Sequence, residues 1–366
     1  MFKIKKQLTA LYMSSVLGNL SLTGAWVAIL AARGYSLVEI GIAETVFHIT
    51  SLIFEIPSGA LADVFGRKKM LVVSSVMRMI GNIVMIISRD LFTVCLSIAF
   101  KALSFNFSSG TDEALAYDSL KIAKKESCFE RYCSNQLVIY RLCSGISTLC
   151  AGFALFIGHR IAYGTDLITG VVQIIILLSL REVYAGERSE KRQRSVTKAV
   201  GELFKCFKES FTFLKWARKA LGLMMCNSLV GAVDIVLLFF LQAKLQAKLP
   251  EQWLGFALLF TELGGIVGSK LILKLPRLTL KSVFAITLLL VISGVLAEHS
   301  AMWAVMTLGG FLAAAGDDAM QVRTNAILQD MFPSEQRATL TSAESFSFSM
   351  IMIVLSPLAG FAFTYW

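Results

Sequence analysis

The sequence predicts an all-α membrane protein with bundles of six and five transmembrane helices, eleven spans in all. Three observations lead there. The chain has 366 residues, 56% of them hydrophobic and only 16% charged, where soluble domains carry about 25% charged residues. Apolar segments about as long as a bilayer-crossing helix recur throughout. One long polar stretch, residues 182–218, divides them six from five. This composition excludes a disordered chain, a disulfide scaffold and an ordinary cytosolic enzyme.

The first bundle occupies residues 1–181. Its first span, 8–32, is too long for a signal peptide and lacks a small-residue cleavage site. It carries a mild polar stripe of Tyr12, Ser15, Asn19, Thr23 and Trp26. The second, 36–62, places Glu44, His48, Ser51 and Glu55 four, three and four residues apart, on one helix face. The third, 70–88, holds Arg78. The fourth, 91–120, has the stripe Lys101, Ser104, Ser108 and Asp112, with Asn106 and Glu113 beside it. The fifth, 133–157, holds Arg141, and Thr165, Asp166 and Gln173 dilute the sixth, 161–181. The second bundle, 219–366, has spans at 219–243 (Asn227, Asp234), 252–273 (Glu262), 280–297, 301–329 (Asp317, Asp318) and 337–360 (Glu344).

Basic residues set the orientation. With the N-terminus in the cytoplasm, inner segments hold 27 of the 35 lysines and arginines, and the outer loops hold five. The net charge of +10 therefore faces anionic lipid headgroups, not nucleic acid. The seven cysteines show no paired or metal-ligand spacing. In the linker, Val200, Leu203, Phe204, Phe207, Phe211 and Leu214 fall at helical spacing, which predicts an amphipathic helix on the inner membrane surface.

The halves repeat. A shift of 206 residues puts Gly59 on Gly265, Lys68 on Lys274, Gly110 on Gly316 and Arg131 on Arg337. The first inner loop reads Gly59-Ala-Leu-Ala-Asp63-Val-Phe-Gly66-Arg67-Lys68-Lys69. Gly59 allows close helix packing, Gly66 a tight turn, and Asp63 with Arg67 a charge clamp at the rim. The loop resembles the signature between the second and third spans of the major facilitator superfamily, G-x-L-a-D-r-x-G-r-[k/r]. The resemblance, with the span order, linker and repeat, covers essentially the whole chain and implies parallel six-helix halves. It also implies that Gly59, Asp63, Gly66, Arg67 and Lys68 form a conformational switch with Asp118 and Arg131, latching the outward-facing state. Two departures stand out. The family's fourth-span arginine motif reads Lys101-Ala-Leu-Ser104-Phe105 here, and the fifth span lacks the Gly-Pro of many drug–proton exchangers.

Each ionisable group inside a span costs about 2.5–3.5 kcal/mol near the helix centre unless it faces a cavity or a partner. Polar stripes on three helices predict a shared central cavity, with Asn19, Trp26, His48 and Asn227 as lining residues. Glu55, Arg78, Asp112 and Arg141 lie at one depth, which suits either an ion-pair layer closing an inner gate or a proton or substrate site. Asp112 and Glu113 are adjacent acids that resist joint ionisation, and Glu44 lies nearer the outside. Asp234 and Asp317 have no deep basic residue to offset them. Proton and substrate candidates are thus Glu44, Glu55, Lys101, Asp112, Glu113, Arg141, Asp234 and Asp317.

The expected function is secondary transport by alternating access in the cell membrane, with proton-coupled export of a small amphipathic compound. The alternatives are a proton-coupled importer of a sugar or metabolite and a non-transporting sensor or immunity protein. No nucleotide-binding loop or metal cluster is evident, so the proton gradient is the expected energy source and no cofactor or enzyme activity is expected. The expected partners are the lipid bilayer and a small-molecule substrate. The repeat offset places a twelfth span near residue 367, past Trp366. The sequence read this way lacks that helix, ends outside, and is a monomer or a dimer that covers the exposed face.

Overall fold

In the computed structural model, the described residues are 4–183, 201, 218–331 and 337–365. Apart from residue 201, the amphipathic helix expected in the linker lies outside them. The described elements are helices: α1 (Ile4–Asn19), α2 (Trp26–Ala32), α3 (Leu37–Phe65), α4 (Arg67–Ile87), α5 (Leu91–Ser108), α6 (Thr111–Ile122), α7 (Phe129–Leu149), α8 (Ala151–Ile157), α9 (His159–Ser179), α10 (Arg218–Lys248), α11 (Glu251–Leu273), α12 (Leu280–Ala297), α13 (Trp303–Met331) and α14 (Arg337–Tyr365), with a short 3-10 turn at Glu126–Cys128.

Fourteen helices serve eleven hydrophobic segments because three spans of the first half are interrupted. The first breaks at residues 20–25, the fourth at Ser109–Gly110 and the fifth at Cys150. Gly110 adopts a φ of +68°, a left-handed turn that favours glycine. The α7–α8 pair bends by 48° at Cys150. Shifted by 206, this kink falls beside Pro357, which lies inside the unbroken α14. Among the described residues, seven helices and the α5–α6 segment are long and apolar enough to cross a membrane, and the bent pair makes a ninth span. The two remaining segments are the interrupted first span and α13, which carries Asp317, Asp318 and Arg323.

Helix starts follow local chemistry. Asp90 caps α5, its carboxylate accepting the Thr93 amide at 2.8 Å while the Thr93 hydroxyl reaches back. That amide bond, with the hydroxyl, holds the Asp90 carboxyl below its ordinary value. Thr279 caps α12 in the same manner through Ser282.

The chain forms two compact units. The first comprises Met1–Gly24, Ile49–Ser147 and Ile157–Phe204; the second comprises Ala25–His48, Thr148–Phe156 and Lys205–Trp366. Hence α2, the first third of α3 and most of α8 pack with the second half of the sequence. The first unit is centred on Leu11, Leu71, Leu115, Tyr132 and Leu177. The second is centred on two clusters, one around Leu241, Leu245, Leu254 and Met306 and one around Leu237, Val291 and Met320. Side chains such as Phe92, Ile168 and Leu289 point outward, about 70% exposed on helices long enough to span, as hydrocarbon-facing residues do.

Glycines set the closest helix approaches in the second unit. A Cβ on Gly41 of α3 would strike the Ser356 carbonyl of α14, and one on Gly360 of α14 would strike the Leu37 carbonyl of α3. A Cβ on Gly152 of α8 would likewise meet the Glu251 carbonyl of α11, and one on Gly255 of α11 the Leu149 carbonyl at the end of α7. Gly360→Leu is therefore expected to destabilise the protein by about 1–3 kcal/mol or more, read as a lower melting temperature in detergent. Gly222→Ala, at a position with open space, serves as the unchanged control. Equal melting of both variants would remove the close-packed seam.

Candidate functional site

Three polar centres carry the functional residues. The first is the turn between α3 and α4. Gly66 takes a φ of +106°, and α4 starts at Arg67. The Arg67 guanidinium, 7% exposed, donates from Nη1 to the Asp118 carboxylate at 2.5 Å and to the Ala114 carbonyl at 2.6 Å, both on α6. The backbone N–H groups of Arg67 and Lys68 donate to the Glu182 carboxylate at 3.0 and 2.9 Å. Glu182 thus satisfies the open N-terminus of α4 with a negative charge. The Lys68 ammonium donates to the Leu178 carbonyl at 2.6 Å. The switch residues Arg67, Lys68 and Asp118 are brought together; Arg131 is exposed. The side chains of Gly59 and Asp63 lie outside the described residues.

The second centre is in the membrane part of the first unit. Asp166 of α9, 7% exposed, accepts the Ser21 and Thr23 hydroxyls at 2.6 Å each and the Leu22 amide at 3.1 Å. A carboxylate from another helix thereby supplies the acceptors that the break in the first span needs. Arg78 and Lys101 lie within its electrostatic range. Arg78 donates to the Gly18 carbonyl at 2.7 Å and the Gln173 carbonyl oxygen at 2.5 Å. The Lys101 ammonium sits over the Tyr163 ring, 4.5 Å from its centroid. In the core of the same unit, Tyr12 and Tyr132 pack at 5.1 Å, and their hydroxyls accept from Asn135 and Gln136.

This geometry corrects the ion-pair layer. Among the described residues, Glu55, Arg78, Asp112 and Arg141 form no salt bridge with one another. Arg78 takes neutral acceptors, Arg141 is exposed, and Asp112 and Glu113 stand in the first turn of α6, where the helix N-terminus favours acids. The wet stripes are also partly glue between helices. Ser51 and Asn106 exchange two bonds between α3 and α5, Ser74 donates to the Ser104 carbonyl, and the Asn19 amide bonds back to Ser15.

The third centre is in the second unit. Glu44 and His48 contact each other at 3.2 Å on α3, and the other His48 nitrogen meets the Ser349 hydroxyl at 3.3 Å. Trp26 meets Phe239 edge-on at 5.4 Å. Asn227 donates to Glu344 at 2.7 Å and accepts from Thr324 at 2.8 Å. Asp317 is 4% exposed. Its Oδ2 accepts from Gln321 at 2.8 Å, while Oδ1 has no hydrogen-bond partner and faces the bare side of Gly231 on α10. Asp234 and Asp318 lie within its electrostatic range. The Asp318 carboxylate occupies the space that a side chain at Gly265 would fill.

The family profile described as Major Facilitator Superfamily matches residues 8–357. The chain belongs to this superfamily. It is a transporter, not an enzyme. No curated protein sequence matches it. Solved structures share its fold across nearly its whole length. A bacterial homologue of the human lysosomal transporter Spinster, inward-facing and unoccupied, has a TM-score of 0.71 and 15% identity, covering 97% of this chain and 81% of the other. The nucleoside transporter NupG gives 0.73 and 13%, over 98% and 90%. A D-xylose–proton symporter gives 0.72 and 10%, over 97% and 89%.

In this superfamily member the signature loop was legible from sequence, but two partners were not. Glu182 read as the start of a polar linker, and Asp166 as a residue weakening a span. The signal was present in each case: an acid near an uncapped helix start, and an acid in a helix facing an interrupted one.

Proposed function

We propose that this transporter couples movement of a small amphipathic molecule to protons, exporting it across the cell membrane by alternating access with the N-terminus in the cytoplasm. The observation that carries the coupling is Asp317, buried, with one carboxylate oxygen unpartnered and Asp234 and Asp318 near it. Among the described residues no lysine or arginine forms an ion pair with Asp317 or Asp234. Ionising such a group without a partner is costly, so a proton is its natural ligand. The cytoplasmic N-terminus is supported by the uneven distribution of basic residues.

The test is substrate counterflow in proteoliposomes under an imposed pH gradient. Wild-type protein is expected to exchange substrate and to respond to the gradient. Asp317→Asn is expected to keep exchange but lose gradient-driven accumulation about tenfold, the equivalent of ~1.4 kcal/mol, with Asp234→Asn and Asp112→Asn measured beside it. A gradient response unchanged in all three variants removes the proton assignment. The fold shared with a D-xylose–proton symporter and a nucleoside transporter favours import of a polar metabolite as the second reading, recognised by accumulation along an inward proton gradient.

A further inference from the structure

Glu298 follows α12 directly and is 1% exposed. Neither carboxylate oxygen has a hydrogen-bond partner. Its position is hostile to a negative charge in two ways. It is buried, and it forms the C-cap of a helix, its own amide bonding back to the Gly294 carbonyl at 3.1 Å; the negative end of the helix dipole therefore points at it.

A cation is close but differently engaged. The Lys244 ammonium of α10 donates to the Glu298 backbone carbonyl at 3.5 Å and lies over the Phe363 ring of α14, 4.7 Å from its centroid. It makes no ion pair with the Glu298 carboxylate. The remaining charged and titratable surroundings are few. From α10, Lys248 bonds the Ser300 carbonyl at 2.8 Å, and Asp234 lies within electrostatic range. His299 stacks on Phe363 at 5.4 Å and contacts the Val295 carbonyl. From α13, Gly309 packs against Ala297.

We propose that Glu298 is a proton-binding site, a neutral carboxylic acid whose deprotonation is compensated by Lys244. Burial raises its carboxyl well above the ordinary range, Lys244 draws it partly back, and Asp234 raises it further. Glu298 is not among the groups that act on Asp317, although Asp234 lies within range of both, and it supplies this transporter with a second place to hold a proton. The proposal concerns protonation itself and is read without transport, so failure of proton coupling in counterflow leaves it standing, and its own failure leaves coupling through Asp317 untouched.

The experiment is infrared difference spectroscopy of the full chain in lipid nanodiscs, following the carbonyl stretch of protonated carboxylic acids. At neutral pH the wild type is expected to show a band that Glu298→Gln lacks. Lys244→Met is expected to keep that band to higher pH than the wild type does. Thermal unfolding gives the second readout. A folded state that binds the proton more tightly than the unfolded chain loses stability as pH rises from the ordinary carboxylate range through the raised value. The melting temperature of Glu298→Gln should therefore gain on the wild type as pH rises above the ordinary carboxylate range. The opposite trend, with Glu298→Gln losing ground as pH rises, marks an ionised, paired carboxylate and overturns the proposal. If Glu298→Gln does not fold, a band that Lys244→Met leaves unmoved overturns it equally.

Discussion

Asp166→Ala is expected to lower the stability of the folded protein by about 3–5 kcal/mol, as removal of one member of a buried charged network does. The residue accepts three bonds, from the Ser21 and Thr23 hydroxyls and the Leu22 amide. Each donor left unsatisfied in a dry environment costs about 1–3 kcal/mol. The charges of Arg78 and Lys101 would also lose the acid within their range. Asp166→Asn keeps one acceptor oxygen and the side-chain shape, so a smaller loss is expected. Unfolding of the purified protein in detergent, followed by intrinsic fluorescence, measures both. If Asp166→Ala melts with the wild type, the carboxylate does not hold the break at residues 20–25.

The second large effect is expected at Arg67. Arg67→Met leaves the Asp118 carboxylate buried without its partner, which costs about 3–5 kcal/mol. Lysine does not replace it well. One guanidinium nitrogen serves both Asp118 and the Ala114 carbonyl, a geometry that the planar head group provides and a flexible ammonium holds poorly. Asp118→Asn alone is expected to cost less, because the arginine retains the Ala114 carbonyl. The double variant Arg67→Met, Asp118→Asn should recover part of the loss, since no buried charge is left uncompensated. Unfolding midpoints of the four proteins form a cycle whose coupling term isolates the pair. A coupling near zero would show that the Arg67–Asp118 contact contributes nothing to stability.

These residues also show what the sequence reveals and what it hides. Span number and order were legible because hydrocarbon thickness imposes a length on every apolar segment. The turn at Gly66 was legible because glycine followed by a basic run at a span end has few other uses. The 206-residue offset brings 91–122 onto α13 and 129–157 onto α14, whereas the earlier helices fall short of α10, α11 and α12. Partners across helices were not legible, since hydropathy says how far a segment reaches but not which neighbour it meets. Arg78 was therefore matched to acids at its own depth, although the nearest acceptors are the Gly18 carbonyl and Gln173. Glu298 was passed over because an acid just beyond a span reads as solvated; only its 1% exposure shows otherwise.

The break in the first span sets the two halves of the chain apart. Its equivalents at the 206 offset are residues 226–231, inside the continuous α10. One copy answers this stretch with an opened backbone and commits a carboxylate, Asp166, to closing it. The other copy keeps the helix whole and leaves the bare face of Gly231 beside the unpartnered oxygen of Asp317. An acid thus closes an opened backbone in the first half, while in the second half an acid beside a continuous helix keeps one oxygen unpartnered.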